Sequence, residues 1–432
     1  MESRADVTRG HLLADALEIA RSLERLDLGA AVAERLAEAG VPGSTGGPVD
    51  LVGVGKAAPE LVRAARRALR ARVGRVLTIA EAPGEGVVVG DHPRPGTRSL
   101  AAGARLLDFL EAGSASALTL FLVSGGASSL AVAPVAPVAV EDLAALFDAA
   151  TARGVDVVAL NRLRAAVSWL GGGAVLERVR TAASLALVLV DVVVGGAPWV
   201  ASALTYDYRP DDAEVAELLE AVGLTGSPLA ARVREAAATR RAALGPPGGH
   251  ANLVLLEPGD WRAAAHEAAR RLGYDVVDLG SALGVSPERL VAAVAGALER
   301  PSDRPVCVLG VGETTPELGD APGRGGRCQE WCALVAPVLA RARGPALALG
   351  FASDGRDHER GVGGAWSDDT TVARARSRGL DLAGALARHD THELHAALGQ
   401  LLEGGHTGWN LCDLYLVVAG PSTPSAQKSP PT

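Results

Sequence analysis

Short apolar runs alternate along this chain with longer segments in which apolar residues recur every three or four positions. Continuous apolar runs separated by helical segments are typical of parallel strands that are covered on both faces. The pattern therefore predicts an α/β protein, opened by one or two helices over 8–39. The predicted strands are 50–54, 76–79, 86–89, 117–123, 184–191, 251–256, 274–278, 305–310, 345–350 and 412–418, and the later helices are 57–72, 98–112, 140–152, 260–272, 287–299, 328–342, 367–377 and 391–403.

A break in this pattern divides the chain into two parts. The segment Gly245-Pro-Pro-Gly-Gly249 is a linker by composition, and the alternation of strands and helices restarts after it. We therefore expect a Rossmann-like N-terminal α/β domain over 1–245 and a second α/β domain over 246–420. Each is expected to have its own largely parallel sheet, with the site in a cleft between the domains. The segment 421–432 is rich in Pro and Ser and is expected to be disordered.

Composition and charge narrow the class of protein. Of the 432 residues, 48% are hydrophobic and 21% are charged, and the formal net charge is −8, which describes a globular chain with ample core. The arginines are scattered, which argues against nucleic acid as a partner. We find neither a signal peptide nor an apolar run that spans a membrane. The four cysteines form no Cys-x-x-Cys pair, so we expect a cytoplasmic protein, with a homodimer as one option.

A glycine turn with a lysine stands between the first strand and its helix. The turn contains Gly53, Gly55 and Lys56, and the only other lysine in the chain is Lys428. Glycines let a ligand approach the backbone, a helix start presents free N–H groups, and the ammonium adds a full charge. A compact point charge suits a moving phosphate better than the rigid fork of an arginine. The turn therefore predicts a phosphate site; a helix-capping turn with a chance lysine is the alternative.

Three further glycine-rich loops adjoin predicted strands or helices. Loops of this kind bind phosphate or carboxylate through their backbone N–H groups. Arg327 closes the last of them at a helix start, where it can bind an anion or be a solvated arginine. The loops are 124–129, with Ser124, Gly125, Gly126 and Ser128; 171–173; and 323–327, with Gly325 and Gly326.

Three acidic residues lie where predicted strands end. Asp191 closes a very apolar strand, where it can accept a hydroxyl proton, bind Mg²⁺ or cap a turn. Asp354 and Asp357 share one loop, where they can lie near a metal-bound phosphate or form a plain turn. We expect Asp191 and Arg327 at loop edges, so that alanine at either position removes the chemistry and spares the fold.

Two nucleotide motifs are incomplete. The pattern Gly53-x-Gly55-x-x-Ala58 matches a dinucleotide fingerprint, but Glu81 is only a loose match for the acid expected after the next strand. The P-loop pattern Gly-x-x-x-x-Gly-Lys-Ser/Thr is absent. Neither motif therefore identifies the nucleotide.

Other catalytic motifs are weak. His389, His392 and His395 are spaced by three, and we expect them to be exposed on a helix, with a metal site as the lesser alternative. Ser124 and Ser128 have neither a nucleophile elbow nor an obvious histidine partner, which disfavours a hydrolase.

Taken in order, these motifs resemble those of the class II glycerate 2-kinases, which carry a C-terminal MOFRL domain and include members labelled hydroxypyruvate reductases. The resemblance covers nearly the whole chain. The matching segments are Val-Gly-Val-Gly-Lys56, His92-Pro-Arg-Pro95, Ser124-Gly-Gly-Ala-Ser128, Arg164 with Ser168 and Gly172-Gly173, Asp191-Val, Gly312-Glu-Thr-Thr315, Gly325-Gly-Arg-Cys-Gln-Glu330, Asp354-Gly-Arg-Asp357, Asp390, and Gly405-His-Thr-Gly-Trp-Asn410 with Asp413.

The resemblance implies two α/β domains, ATP with Mg²⁺, and phosphorylation of the 2-hydroxyl of D-glycerate, a small-molecule substrate. The essential Lys, Asp and Arg of the family fall on Lys56, Asp191 and Arg327, with Asp191 as the candidate Mg²⁺ ligand. The residues assigned to nucleotide or phosphate are Gly53, Gly55, Ser124, Gly125, Gly126, Ser128, Gly325, Gly326 and Glu313, and those assigned to substrate are Arg164, Asp354, Asp357, Trp409, Asn410 and Asp413.

Several positions depart from the family pattern. Cations are lost and indole rings are added near the motifs, which favours an acceptor larger or less acidic than D-glycerate. Tryptophans that only fill core space are the alternative. An NAD(P)H-dependent hydroxypyruvate-type reductase and a catalytically degenerate binding protein of the same fold are the rival functions. The changes are Ala165-Ala166 for Lys-His, Gly171 for Lys, Gly195-Gly196 for Gly-Asp, Ser202-Ala-Leu204 for Ser-Gly-Pro, Cys328 for Asn and Trp409 for a small residue, with Trp169, Trp199, Trp331 and Trp366 also in or beside motifs.

Overall fold

The chain folds into two compact units. Asp27–Glu257 form the first unit, and the residues up to Leu26 together with those from Pro258 onward form the second unit. The predicted linker, apart from Gly249, and the predicted tail beyond residue 421 lie outside the described residues. The computed structural model describes residues 4–41, 46–115, 117–191, 195–243, 249–281, 285–316, 323–405 and 407–421.

Strands and helices are numbered here in chain order. The strands are β1 (Val49–Val54), β2 (Val73–Ala80), β3 (Val87–Val89), β4 (Leu118–Val123), β5 (Ala183–Leu189), β6 (His250–Leu256), β7 (Asp275–Ser281), β8 (Val306–Gly312), β9 (Ala346–Ala352), β10 (Val362–Asp368), β11 (Leu401–Glu403) and β12 (Asp413–Ala419). The α-helices are α1 (Arg4–Ala20), α2 (Leu28–Glu38), α3 (Ala58–Leu69), α4 (Thr97–Glu111), α5 (Ala127–Leu130), α6 (Val140–Ala152), α7 (Val157–Ala166), α8 (Asp212–Ala221), α9 (Pro228–Ala243), α10 (Pro258–Arg271), α11 (Pro287–Leu298), α12 (Arg327–Leu339), α13 (Thr371–Ser377), α14 (Leu382–Ala387) and α15 (Thr391–Leu398). Short 3₁₀ helices span Arg21–Arg25, Arg70–Arg72, Ala174–Arg178 and Ala197–Ser202.

The first unit is built on a parallel sheet of order β3-β2-β1-β4-β5-β6. Its central strand β1 is buried at every position because helices cover both faces of the sheet. This is the strand order of doubly wound nucleotide-binding folds, in which the order reverses between β1 and β4. The prediction of a Rossmann-like α/β domain is therefore confirmed.

Apolar packing fixes the helices that surround the site in the first unit. One core cluster joins the strands to α4 through Leu106 and Leu110, which are at most 2% exposed. A second cluster, whose described members lie outside the strands, joins α6, α7, α8 and α9 and includes the fully buried Leu163 of α7. This second cluster holds the helix that carries Arg164.

The second unit has a mixed sheet of order β11-β10-β9-β12-β8-β7. Its β7 and β8 pair in parallel, whereas the pairings of β8 with β12, β12 with β9, β9 with β10 and β10 with β11 are antiparallel. The α/β class is confirmed, but this sheet departs from the parallel pattern. All seven residues of β12 are buried. The sequence of an apolar strand that is covered on both faces does not show whether the strand pairs in parallel or antiparallel.

The two units divide at Leu26 and Glu257, which corrects the predicted division at 245/246. β6 follows the predicted linker, yet it pairs with β5 and completes the first sheet. At the other end of the chain, α1 packs on β9, β12 and α10 of the second unit and buries Ala16 and Ile19 completely. Neither an apolar run nor an amphipathic helix says in its sequence which sheet it joins.

Candidate active site

Two predicted glycine turns meet in the first unit where the strand order reverses. The turns follow β1 and β4, which are neighbours in the sheet. The backbone N–H of Lys56 donates to the carbonyl of Gly125 at 2.9 Å. The next N–H, of Ala57, donates to Ser124 Oγ at 3.0 Å. A doubly wound sheet binds its ligand at this reversal point, so the sequence predicts the correct edge of the fold.

Gly53 and Gly55, the two glycines of the first turn, have different structural roles. A Cβ on Gly55, which has φ +129°, would lie 2.3 Å from Ser124 Oγ, so only glycine lets the turns close on each other. Gly53 instead faces α3, since a Cβ there would lie 2.5 Å from a methyl group of Val62. Gly53 therefore permits close helix packing, and the geometry gives it no opening toward a ligand.

The side chain of Lys56 lies over the second turn. A Cβ built on Gly126, which has φ +83°, would lie 3.1 Å from Lys56 Cγ and 3.3 Å from His92 Cδ2. Burial, together with the positive charges of Lys56 and Arg164, lowers the pKa of His92 to about 4. His92 is therefore neutral at pH 7, and it packs beside Lys56 without adding a third charge.

Asp191 reaches the same turn from the neighbouring strand. It comes two residues after the end of β5, which pairs with β4. A Cβ built on Gly125 would lie 1.5 Å from Asp191 Oδ2, so the carboxylate rests directly against this glycine. The structure thus brings Lys56, Gly125, Gly126 and Asp191 onto one short segment of chain.

Arg164 and Ser128 line a small cavity in the first unit. Arg164 lies in the last turn of α7 and is 7% exposed. Ser128 lies on α5, and its Oγ is 2.7 Å from Ser202 Oγ. The predicted substrate residue Arg164 and the predicted phosphate residue Ser128 therefore belong to one cavity.

Arg327 begins α12 in the second unit and is held by two carboxylates. Its Nη1 and Nη2 donate to Glu313 at 3.0 Å each, and its Nε donates to Asp413 Oδ2 at 3.0 Å. Burial raises the pKa of Asp413 to about 7, although Arg327 opposes that shift. Burial alone would lower the pKa of Arg327, but Asp413 and Glu313 raise it overall. Glu313 and Asp413, predicted to bind nucleotide and substrate, thus position the arginine.

Asp357 caps α12. Its Oδ1 accepts from the N–H of Cys328 at 3.0 Å and its Oδ2 accepts from the N–H of Gln329 at 2.9 Å. A Cβ on Gly326 would lie 2.2 Å from the same carboxylate. The oxygens of Asp357 thus satisfy the free N–H groups of a helix start, and its predicted substrate role stays a prediction.

The loop before β12 is tied together by its own polar groups. Asn410 Oδ1 accepts from Ser353 Oγ at 2.8 Å and from the N–H of Cys412 at 2.9 Å. The Asp354 carboxylate accepts from the N–H of Arg356, which makes a plain turn. Trp409 is half-buried in this loop. Asp354 and Asn410, which are predicted to bind substrate, thus already have hydrogen-bond partners within the protein.

A cavity of about 280 Å³ lies beside the first turn of α12. Gly325, Gly326, Arg327, Glu330 and His389 are among the residues that line it. The Nδ1 of His389 is 2.9 Å from a carboxylate oxygen of Glu330. Across the described ranges, no group of three or more His, Cys, Asp and Glu side chains is arranged to hold a metal ion.

The predicted exposure of the three histidines is wrong. His395 is completely buried, and its Nε2 is 2.9 Å from the carbonyl oxygen of Gln329. The Nδ1 of His392 is 3.1 Å from Oε1 of the same glutamine. These histidines fasten α15 to the first turn of α12. The spacing of the histidines therefore reflects a packed surface and not a solvent-exposed helix face.

Known proteins share both units of this chain. The family model described as Domain of unknown function (DUF4147) matches residues 15–237, and the MOFRL family model matches 306–413. Human glycerate kinase is 30% identical over 380 residues, which cover 76% of this chain and 72% of that protein. The chain belongs to the glycerate 2-kinase family.

Two further members of the glycerate 2-kinase family support the assignment. The glycerate 2-kinase of Pyrococcus horikoshii is 26% identical over 399 residues, 86% of this chain and 87% of that protein. The crystal structure of glycerate kinase from Thermotoga maritima has a TM-score of 0.81 and 25% identity, and the match covers 95% of this chain and all of that one. This chain is accordingly an ATP-dependent phosphotransferase of the glycerate kinase type. In the part of the chain that the structure describes, no helix has the length and apolarity to cross a membrane.

Two of the tryptophans that lie in or beside the glycerate 2-kinase motifs are packing residues. Trp331 is completely buried on α12 and meets Tyr415 edge to face, with ring centroids 5.2 Å apart. Trp199 meets Tyr208 edge to face at 4.9 Å. Both contacts agree with the alternative in which added indole rings fill core space.

Sequence reasoning missed Arg240, which shapes this site in the first unit. Arg240 is 1% exposed on α9 and lies in phase with the buried Val233, Ala236 and Ala237. An arginine on an apolar helix face is the signal that could have found it. Its guanidinium donates to four backbone carbonyls, those of Ser168, Gly171, Gly172 and Tyr208.

Proposed function

We propose that this chain transfers the terminal phosphoryl group of ATP to a hydroxyl group of a small hydroxy acid, with D-glycerate as the reference acceptor. The observation that carries the proposal is the convergence of Lys56, the Gly125-Gly126 turn and Asp191 at the reversal point of the first sheet. Phosphoryl transfer needs a cation, backbone donors and a carboxylate in one place, because its catalysis is mostly positioning and charge stabilisation.

Lys56 and Asp191 take complementary roles in this proposal. The ammonium of Lys56 neutralises charge on the transferred phosphoryl group, since its stem lies beside Gly126 and the residue is exposed. Asp191 orients the acceptor hydroxyl and accepts its proton. The glycines between them let the phosphate oxygens approach the backbone.

The carboxylate of Asp191 also fits Mg²⁺. This ion keeps several waters and is bound through one or two carboxylates and the phosphates of the substrate, without a cage of protein ligands. Asp191 supplies one carboxylate, and it lies against the glycine turn assigned to phosphate. When bound, Mg²⁺ would neutralise charge on the phosphate oxygens.

Arg327 is proposed as a second cation for the phosphate groups. Three of its five N–H groups are taken by Glu313 and Asp413, which leaves two for an anion. The same residue lines the cavity beside Gly325 and Gly326. Glu313 and Asp413 therefore act as positioning residues that keep the planar fork in one orientation.

The acceptor is expected to be a small acid. Arg164 is a buried cation, and its Nε and Nη2 have no hydrogen-bond partner among the described residues. Such a group favours an anionic ligand, because an unpaired buried charge is costly. The packing of Trp199 and Trp331 also weakens the case for a larger apolar pocket. The geometry thus supports a D-glycerate-like acceptor over a larger or less acidic one.

A nicotinamide-dependent reductase is the rival function. Glu81 directly follows β2, where dinucleotide-binding folds place the acid that binds ribose. However, the space in front of Gly55, which a pyrophosphate enters in those folds, is filled by Ser124. This contact disfavours the dinucleotide reading.

The proposal is tested by a screen of hydroxy acids and polyols for ATP consumption. ADP is measured enzymatically, and the phosphorylated product is identified by mass spectrometry. We expect ADP formation that depends on the acceptor, with D-glycerate among the active compounds. A parallel assay with NADPH and 2-oxo acids tests the reductase. Cofactor oxidation there, without ADP formation in the first assay, would overturn the proposal.

The wild-type chain and one variant, Asp191→Ala, separate the kinase from a degenerate binding protein. Asp191→Ala should abolish ADP formation while leaving the circular dichroism spectrum and the Tm unchanged. If the wild-type chain binds ATP and D-glycerate but forms no ADP, it is a binding protein. If Asp191→Ala unfolds instead, the residue is a structural turn cap.

A further inference from the structure

A small and mostly apolar cavity lies beside the turn that follows β4. It offers about 20 Å³, which is room for one or two water-sized groups. Apolar side chains such as Val132, Leu143 and Leu204 form much of its wall. The polar exceptions relevant here are Arg164 and two serines, Ser128 and Ser202.

Arg164 lacks the partners that a buried arginine normally has. It is 7% exposed, and its Nε and Nη2 are buried with no hydrogen-bond acceptor among the described residues. Its guanidinium carbon lies 5.6 Å from the ring centre of Phe147, a contact that supplies no counter-charge. Burial lowers its pKa to about 10, so it still carries its charge at pH 7. A buried cation without an anion is costly unless a ligand brings the anion.

The orientation of the Asn161 side-chain amide determines which of the two serine hydroxyls donates to the other. The amide nitrogen of Asn161 donates to the carbonyl of Trp199 at 3.0 Å, so its oxygen faces Ser202. Ser202 Oγ donates to that oxygen at 3.2 Å. The hydroxyl of Ser128 therefore donates to Ser202 or turns toward a ligand.

The backbone that presents Ser202 is strained. Ala201, Ser202 and Ala203 have φ of 57°, 53° and 55°, three consecutive non-glycine residues in the left-handed region. Such conformations cost energy and persist where the surrounding structure holds them, often beside functional sites. Here they place the Ser202 hydroxyl between Asn161 and Ser128.

We propose that this cavity is the carboxylate subsite of the acceptor, in which Arg164 supplies the counter-charge and Ser128 a hydroxyl donor. The inference rests on the proposed kinase function and deepens it. It assigns Ser128 to the acceptor and not to the nucleotide. The cavity is small, and Arg164 is the charged residue among the side chains that line it, which suits the compact carboxylate end of an acceptor. A neutral acceptor leaves Arg164 unpaired, so the site discriminates by charge.

Steady-state kinetics with three acceptors test the assignment. D-glycerate, glyceramide and glycerol share their hydroxyl groups but differ in the group that would meet Arg164. We expect the wild-type chain to prefer D-glycerate, and Arg164→Gln to lower its kcat/KM by roughly 10³-fold, mainly through the KM of the acceptor. The KM of ATP and the turnover of glycerol should stay within about threefold of the wild-type values. Added guanidinium ion should restore part of the D-glycerate activity of Arg164→Ala.

Matched variants exclude a general loss of structure. Arg162→Gln changes an arginine on the same helix that pairs with Glu214, and it should keep the preference for the acid. Ser128→Ala should raise the KM of D-glycerate about tenfold and leave the KM of ATP unchanged. An Arg164→Gln chain that still prefers D-glycerate to glyceramide overturns the inference.

A binding measurement distinguishes failure of this inference from failure of the kinase proposal. D-glycerate should raise the Tm of the wild-type chain but not of Arg164→Met, whose ligand-free Tm should itself be higher because an unpaired buried charge is gone. If no acceptor is phosphorylated, the kinase proposal fails, and loss of the D-glycerate shift in Arg164→Met still supports the subsite. An equal D-glycerate shift in both chains, or none in the wild type, overturns the subsite.

Discussion

The aliphatic stem of Lys56 packs beside the glycine turn that follows β4. Its Cγ lies 3.1 Å from the position that a Cβ on Gly126 would occupy, and the ring of His92 borders the same space. The aliphatic stem lies beside this space, and the residue as a whole is exposed. A planar guanidinium carries the same charge in a wider and more rigid group. We therefore expect the turn to depend on the compact head group of lysine as well as on its charge.

Lys56→Arg should lower phosphoryl transfer by roughly two orders of magnitude or more, although it preserves charge. An arginine would place the same aliphatic stem beside Gly126 and His92 but would end in a planar fork, which cannot follow a moving phosphoryl group as a compact point charge can. The turnover of ATP with D-glycerate measures the effect, with circular dichroism as the check on folding. The exposed Arg63→Lys on α3 is the reverse exchange and should keep wild-type turnover. Near-normal turnover in Lys56→Arg would remove Lys56 from the mechanism.

Arg327 behaves differently from a loop-edge residue. It joins the end of β8, the start of β12 and the start of α12 through Glu313 and Asp413. Asp413 is 2% exposed, so it depends on the arginine for its counter-charge. We therefore expect alanine at this position to lower the stability of the fold as well as to remove the chemistry.

Arg327→Ala should abolish transfer and also destabilise the chain by about 1–3 kcal/mol, because Asp413 remains buried without a cation. Urea unfolding measures the stability, and ADP formation measures the activity. The double variant Arg327→Ala/Asp413→Asn should recover most of the stability and none of the activity. Wild-type stability in the single variant would show that the network is functional only.

At the scale of single residues, the sequence identifies those functional residues that stand in a short, recognisable motif. A lone lysine in a glycine turn and an acid at the end of an apolar strand mark Lys56 and Asp191, and the structure brings both to Gly125. The role of Asp357 has no such signal. Its partners on α12 lie 28 and 29 positions away, so only the fold shows that this carboxylate caps a helix.

Among the elements, α12 connects most of the polar features of the second unit. Asp357 caps it, Arg327 begins it, and His395 of α15 packs against Gln329 in its first turn. The sequence predicts α12 because a glycine loop precedes an amphipathic run. It does not predict β10, which contains two adjacent glycines, or β11, which lies inside the predicted helix 391–403. These strands form only by pairing with β9 and with each other.

His395 should make the stability of this element pH-dependent. Burial lowers the pKa of His395 to about 4, below the value of 6.5 for an unburied histidine. Between pH 6.5 and 4 the unfolded chain therefore binds a proton that the folded chain does not, and stability falls as the pH falls. Between pH 7 and pH 5 the loss from this residue is about 2 kcal/mol.

Urea unfolding of the wild-type chain and of His395→Gln at both pH values checks this prediction. Glutamine keeps a donor for the carbonyl of Gln329 but does not titrate. The variant should be less stable than the wild type at pH 7 and should lose less stability at pH 5. His11→Gln, at an exposed position on α1, is the control and should keep the wild-type pH dependence. An unchanged pH dependence in His395→Gln would contradict the assignment.

At the scale of the whole molecule, the second unit is assembled from both ends of the described chain. α1 packs on β9 and β12, Arg9 pairs with Asp369 at 2.8 Å, and the hydroxyl of Tyr274 donates to Asp15 at 2.7 Å. The sequence predicts α1 from its spacing of apolar residues, and the family resemblance predicts two α/β domains. Neither indicates that α1 crosses to the later sheet, because its apolar face would fit any covered sheet.

Ile19→Ala should therefore loosen the second unit and leave the first unit unchanged. Ile19 is completely buried at the end of α1, and its truncation should cost about 2–4 kcal/mol. Hydrogen exchange measured by mass spectrometry locates the effect, since exchange of protected amides reports the stability of the segment that opens. Amides of β9 and β12 should exchange faster, by roughly 30-fold or more at the stated cost. Those of β1 and β4 should keep their wild-type rates.

Leu61→Ala is the matched variant for the first unit. Leu61 is also completely buried, but it lies on α3, which packs on β1 and β2. Its truncation should speed exchange in β1 and β2 and spare β9 and β12, the reverse of the pattern for Ile19→Ala. If Ile19→Ala instead speeds exchange in β1, then α1 stabilises the first unit and the predicted domain over 1–245 is right after all. If both variants speed exchange in all four strands, the chain opens as one cooperative body, and the division at Leu26 has no energetic meaning.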